Sequence, residues 1–199
     1  MAKKDIFVAL ICAAAFIGTA CQQRPSTRGA LYLDIEQFYK TLGHLWIIAT
    51  ATANEQANTA CKFYDVTSVN GRTVSFRRIY YKNGTKVQKE LTGRLKVEDH
   101  PVVAKLMNYN HVMRVYPPGE NMFEERLLYQ SIGNECGIFN VRSLIRRLHI
   151  TSEFYELRLW NSSAVSPYKE CLKAYVERVP NGNVITTYYN GLCKNILTK

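Results

Sequence analysis

The chain has 199 residues, 47% of them hydrophobic, and 26 Lys and Arg against 16 Asp and Glu give a formal net charge of +10. That length suits one domain rather than two, and that hydrophobic share excludes a disordered chain. The charge favours an acidic partner without selecting one; the basic residues are scattered rather than gathered in a recognition motif, so no nucleic-acid partner is expected.

Residues 1–20 read as a secretory signal peptide. Lys3 and Lys4 form the positive n-region, residues 6–17 the apolar h-region, and Gly18-Thr19-Ala20 the small-residue cleavage site. The apolar run is shorter than the roughly 20 residues that span a bilayer, and no later segment is as apolar. A secreted, extracellular protein with no membrane partner is expected. Cys21 follows the small residues directly, but Gly18 stands where a lipid-anchored cysteine wants a bulky aliphatic residue. Residues 21–30 are polar and read as a flexible segment, which leaves 31–199 as the folded domain.

Asp34 is placed to cap a short helix, with Gln37 as its capping-box partner. Ile35, Phe38, Tyr39 and Leu42 would share one face, and Gly43 would end the helix. Strands follow at 44–54, 61–69, 72–82 and 85–97; Asn70-Gly71 and Asn83-Gly84 are hairpin signals that make them a meander. Further strands are expected at 109–116, before Pro117-Pro118-Gly119, and at 123–132, 136–141 and 153–160. Ser166 as N-cap and Pro167 at the first helical position open a second helix. Its stripe of Tyr168, Cys171, Leu172, Tyr175, Val176 and Val179 is amphipathic. A last extended piece over 183–189 leads to Cys193. Eight antiparallel strands solve their edge problem by closing into a barrel, whose interior holds packed side chains or one small ligand. The C-terminal helix must then pack outside.

Cys61, Cys136, Cys171 and Cys193 form an even set behind a signal peptide and read as two disulfides, with three pairings open. None has the close spacing of a zinc site, and no metal or other cofactor is expected. Asn83 and Asn161 open N-glycosylation sequons. The four histidines have no metal spacing and no serine sits in a nucleophile elbow, so an enzyme is not expected.

The block Cys136-Gly137-Ile138, then Tyr155-Glu156-Leu157-Arg158, then Cys171, resembles the tick salivary lipocalins typified by histamine-binding proteins. Glu36-Gln37-Phe38-Tyr39 is similar to that family's acidic-x-aromatic signature on the first helix. The resemblance implies a lipocalin (calycin) barrel, a secreted protein that sequesters histamine or serotonin, and a pairing of Cys61 with Cys193 and Cys136 with Cys171. It departs at two places: Gly137 stands where amine binders carry an aspartate, and Arg158 where they carry an aromatic ring.

Alternation along 153–160 places Phe154, Glu156, Arg158 and Trp160 on one face and Tyr155, Leu157 and Leu159 on the other. The second set suits the wall beneath Leu172, Tyr175 and Val176, which points the first set inward. Glu156 and Arg158, about 7 Å apart along the strand, would then pair and cancel, making Glu156 a poor counter-ion for an amine. The opposite assignment makes them a solvated surface pair. The candidate ligand set is Glu156, Arg158, Trp46, Tyr39, Glu36, Phe154 and Trp160. Phe76, Tyr80, Tyr81, Phe123, Tyr129 and Phe139 could line a pocket, and Arg77, Arg94 or Arg114 could anchor a carboxylate. The expected protein is a monomer, and the resemblance implies that it binds a small amine. An apolar acid such as an eicosanoid or fatty acid is the alternative for an aromatic cavity with an inward Arg. A protein or glycan partner for the basic surface, Arg146-Arg147 included, is the third.

Overall fold

The computed structural model describes residues 33–53, 59–96, 111–145, 149–160, 165–190 and 193. The signal-peptide reading, the flexible segment, the Asn161 sequon and Arg146-Arg147 lie outside the described residues. The elements in chain order are α1 (Ile35–Lys40), β1 (Gly43–Thr52), β2 (Thr59–Asn70), β3 (Thr73–Lys82), β4 (Thr85–Leu95), β5 (Val112–Tyr116), β6 (Phe123–Gln130), β7 (Cys136–Ile145), β8 (His149–Trp160), α2 (Val165–Arg178) and β9 (Val184–Thr187).

Strands β1 to β8 form a closed antiparallel barrel. Each pairs with its neighbour in the chain, β8 returns to β1, and β1 also pairs with β2. The seam between β1 and β2 is shared. Gly43 to Trp46 pair with Val66 to Phe63, while Ala49 to Thr52 pair instead with β9. Where β1 and β2 part, the Tyr188 N–H donates to the Ile48 carbonyl (3.0 Å) and the Tyr188 carbonyl accepts from the Cys61 N–H (2.8 Å). The C-terminal segment, expected only as a lead to Cys193, thus fills the seam as a ninth strand, and the Cys61–Cys193 disulfide ties it there.

The pleat divides the side chains between two cores. Phe76, Leu91, Met113, Val115, Phe123, Leu127, Phe139, Val141 and Trp160 point inward and meet Ile35, Phe38 and Tyr39 of α1, which closes one end of the barrel. Trp46, Ile48, Phe63, Cys136, Ile138, Leu157 and Leu159 point outward into a second core, which Cys171, Ala174 and Tyr175 of α2 join. The Cys136–Cys171 disulfide fastens α2 to β7. It also sets the helix rotation: Cys171, Ala174 and Tyr175 face the wall, at the 3.6-residue period, and turn Leu172 and Val176 into solvent. Those two residues do not belong to the buried stripe expected of them. Tyr175 Oη satisfies itself on the Tyr155 carbonyl (3.0 Å).

Local details differ from the sequence reading for similar reasons. Asp34 Oδ1 accepts from the Gln37 N–H (3.0 Å), as a cap should. The Asp34 N–H, however, donates to Gln130 Oε1 (2.8 Å), so a tertiary contact takes the role assigned to Gln37. The helix stops at Lys40 with Thr41 as its C-cap, leaving Leu42 exposed and Gly43, at φ +112°, as the first residue of β1. Helix α2 begins at Val165, so Ser166 lies inside the helix rather than capping it. Asn70 pairs with Thr73, and Gly71, at φ +54°, leads the two-residue turn. No helix among the described residues is long and apolar enough to cross a membrane.

Candidate functional site

The middle of the barrel holds an ionic cluster. On β8 the inward phase places Phe154, Glu156, Arg158 and Trp160 on the interior face, and Glu156 and Arg158 are fully buried. Glu125, equally buried, projects from β6 between Phe123 and Leu127. Tyr39 reaches the cluster from α1, and Lys62 from β2, between the outward Cys61 and Phe63.

Arg158 holds this group together. A guanidinium has five N–H donors, and here each has an acceptor. Nε donates to Glu156 Oε2 (2.8 Å) and Nη2 to the same oxygen (2.6 Å). Nη2 also reaches Glu125 Oε1 (2.7 Å), while Nη1 donates to Glu125 Oε2 (2.7 Å) and to Tyr39 Oη (2.6 Å). Tyr39 Oη passes its own proton toward Glu125 Oε2 (2.8 Å), and Lys62 Nζ donates to Glu156 Oε1 (2.7 Å). The guanidinium lies 4.1 Å from the Phe139 ring centroid and 4.8 Å from that of Tyr64.

Two carboxylates and two cations make the cluster formally neutral. Burial works to raise the Glu156 carboxyl pKa, but Lys62 and then Arg158 overcome it and bring it down to about 2. Burial opposes the charge on Arg158, and Glu125, Tyr39 and Glu156 more than restore it, raising its pKa well above the usual value. Burial keeps the Tyr39 phenol well above its ordinary range, so it serves as a neutral donor. Neither carboxylate is left open to a cationic amine, and Arg158 has no donor left for an anion.

At Gly137 the surrounding rings leave no room for a side chain. A Cβ at this site would lie 2.9 Å from Phe139 and 2.9 Å from Phe38. The α1 ring of Phe38, 5.2 Å centroid to centroid from Phe139 and 5.9 Å from Trp160, occupies the space. The α1 end of the barrel is therefore filled with rings.

The opposite end is hollow. A cavity of about 580 Å³ is bounded by Lys62, Tyr64, Phe123, Val141, Phe154 and, at its mouth, Arg78, Ser143, Ser152 and the turn Gly119-Glu120-Asn121. This volume falls within the range of small-molecule sites. Lys62 and Tyr64 touch both the cavity and the ionic cluster, which forms its floor. Lys62 Nζ stands 5.7 Å from the Phe154 ring and 5.8 Å from that of Tyr188; the Arg78 guanidinium stands 5.8 Å from Phe123.

The structure thus gathers Glu156, Arg158 and Tyr39 of the candidate set into one cluster and places Phe154 in the cavity wall. Trp160 points inward but sits beneath Phe38, on the closed side. Trp46 points away from the interior and packs on Phe63 (4.7 Å) and Tyr189 (5.2 Å) in the outer core, because β1 buries both of its faces. Glu36 pairs with Lys40 (2.9 Å) on the solvent side of α1. Neither belongs to a cavity site. Arg77, Arg94 and Arg114 point outward, in antiphase to the inward Phe76, Leu91, Leu95 and Met113; among the arginines it is Arg78 that faces the cavity. Tyr81 and Tyr129 join the outer core. Glu125 and Lys62 were missed. Their signal was a charged residue in an otherwise apolar phase: Phe123-x-Glu125-x-Leu127 and Lys62-x-Tyr64-x-Val66.

No protein-family model matches the chain, and no curated protein matches it. Among solved structures it is similar to lobster apocrustacyanin A1 (12% identity over 78% of this chain and 79% of that one, TM-score 0.53). It is also similar to the siderocalin Ex-FABP (9% identity, 75% and 93% covered, TM-score 0.52) and to a dog lipocalin allergen (10%, 78% and 95%, TM-score 0.50). At these identities the likeness is one of architecture: the chain folds as a lipocalin barrel with a helix at one end and a second helix on its outer wall.

Proposed function

We propose that this protein is a non-catalytic carrier that binds one small apolar acid in the open half of the barrel. The observation that carries this reading is the pairing of an already neutral floor with a guanidinium at the cavity wall. Glu125 and Glu156 are saturated by Arg158 and Lys62, whereas Arg78 faces a cavity walled by Tyr64, Phe123, Val141 and Phe154 and bordered by Ser143, Ser152 and the turn Gly119-Glu120-Asn121. An apolar body suits those rings, and an acid group at its end would be attracted by the Arg78 guanidinium. The lipocalin architecture supports a role in binding small molecules in general.

The amine reading rests on the resemblance to tick histamine-binding proteins. Its support in the structure is that two buried carboxylates and a tyrosine do meet inside the barrel. For histamine or serotonin to use Glu156, it would have to displace both Lys62 and Arg158. The same proposal holds the protein to be secreted and monomeric, with a glycan on Asn83. Two disulfides fit an oxidising compartment, and Asn83 lies in an exposed β3–β4 turn.

Calorimetry on the oxidised protein with arachidonic acid, its methyl ester and histamine tests the reading. The expected result is one site for the acid and at least about tenfold weaker binding of the ester, a difference near 1.4 kcal/mol. Histamine bound more tightly than the acid would overturn it, and so would an ester bound as well as the acid.

A further inference from the structure

Arg78 on β3 and Lys89 on β4 stand directly opposite each other in the antiparallel register, on the same inward-facing phase as Phe76 and Leu91. Like charges in directly opposed positions repel. Arg78 lines the cavity, partly buried, and its Nε, without a hydrogen-bond partner, is withdrawn from solvent; Lys89 stands beside it as its cross-strand neighbour. Among the described residues, the barrel strands bring no acid to the cavity lining here. The acid comes from the turn after β5: Glu120, following Pro117-Pro118-Gly119, accepts from Arg78 Nη2 at Oε2 (3.3 Å) and from Lys89 Nζ at Oε1. Each of its oxygens thus takes one of the two cations.

Resting on the acid-carrier reading, we infer that Arg78 and Lys89 form the carboxylate subsite of the cavity, and that Glu120 competes with the ligand's acid group for it. The geometry is that of a two-pronged anion site, with one donor from each of two neighbouring strands. Gly119, Glu120 and Asn121 border the cavity themselves, so exchange of one carboxylate for another frees the turn as the ligand enters. Lys62, the other cavity cation, is paired with the fully buried Glu156 in the floor, whereas the carboxylate on Arg78 and Lys89 belongs to the partly exposed Glu120, which makes this pair the one to receive the acid. A ligand of this site carries a single carboxylate at one end of an apolar body, directed toward the mouth. A neutral ester meets the same walls but has no charge with which to displace Glu120.

The test uses the full oxidised protein, arachidonic acid and its methyl ester. Glu120→Gln keeps the size of the turn side chain and removes its charge. It should tighten arachidonate binding about fivefold, the scale of a partly exposed ion pair released from competition, and change ester binding less than about twofold. Adding Arg78→Gln to Glu120→Gln should cancel the gain. Hydrogen exchange supplies a readout that a merely structural role would not move: arachidonate, but not the ester, should speed exchange of the Glu120 amide, which is bonded to the Pro117 carbonyl. If the wild type prefers acid to ester but Glu120→Gln leaves acid affinity unchanged or weaker, the competition is overturned and the carrier reading stands. If neither wild type nor Glu120→Gln distinguishes acid from ester, the carrier reading falls and the subsite with it.

Discussion

Arg158→Met removes the one group that spans both buried carboxylates. Lys62 would still cover Glu156, but Glu125 would keep only the Tyr39 hydroxyl. Breaking a buried ion pair from one side costs about 3–5 kcal/mol, because the remaining charge stays out of water. Set against the 5–15 kcal/mol or so that a domain has in total, this is a large loss. Glu125→Met should cost a similar amount for the opposite reason, since Arg158 and Lys62 would then share a single carboxylate. Arg158→Met combined with Glu125→Met leaves a neutral Lys62–Glu156 pair among Tyr64, Phe139 and Tyr39. Replacing a buried pair by apolar groups is often neutral or stabilising, while the Tyr39 hydroxyl loses its acceptor at about 1–3 kcal/mol. The double variant should therefore lie within about 2 kcal/mol of wild type, far above the sum of the two single losses. Urea denaturation at pH 7 with disulfides intact measures all three. A double variant that loses the sum of the singles would refute the view that Arg158 and Glu125 act as one buried unit.

Acid should weaken the same cluster. The folded pKa of Glu156, about 2, lies below its usual value of 4.5. Its contribution is thus fully present above pH about 4.5 and is lost as the pH falls toward 2; it amounts to about 3 kcal/mol, and Glu156→Gln should flatten that part of the stability–pH curve. Gly137→Ala should destabilise by about 1–3 kcal/mol through overpacking against Phe38 and Phe139, and Gly137→Asp by more because it also buries a carboxylate. An unchanged urea midpoint for Gly137→Ala would show that Phe38 does not fill that space. Removing the Cys61–Cys193 disulfide should lower stability more than removing Cys136–Cys171, since the sequence separations are 132 and 35 residues; chain entropy gives about 5 against about 4 kcal/mol. Paired Cys→Ala variants compared by thermal unfolding would contradict this if the order were reversed.

Much of the barrel was legible because its signals are local. The eight strands show in β-branched and alternating runs, and Asn83-Gly84 turns where it should, with positive φ at both residues. The inward phase of β8 could be read from Leu157 and Leu159, since an apolar antiphase must meet something apolar. The placement of Trp46 was not legible. A strand that is buried on both faces carries no alternation, so LWIIATA does not say which residue looks in. The role of β9 escaped for another reason: its four residues gain their meaning only from the gap left where β1 and β2 diverge.

The site divides in the same way. By itself the sequence determined that Glu156 and Arg158 share a face and could meet there, because two residues on one strand are held to one side by the pleat. Only the tertiary structure decided what that meeting means. Glu125 lies 33 positions from Arg158 in the chain, and Tyr39 119 positions. Barrel closure brings them within hydrogen-bonding distance, and with Glu156 they take up every donor of the guanidinium. A charge in a sequence is a possibility for interaction. Whether it is offered to a ligand or consumed inside the protein depends on which distant groups the fold seats around it, and the low-dielectric interior makes that neutralisation obligatory.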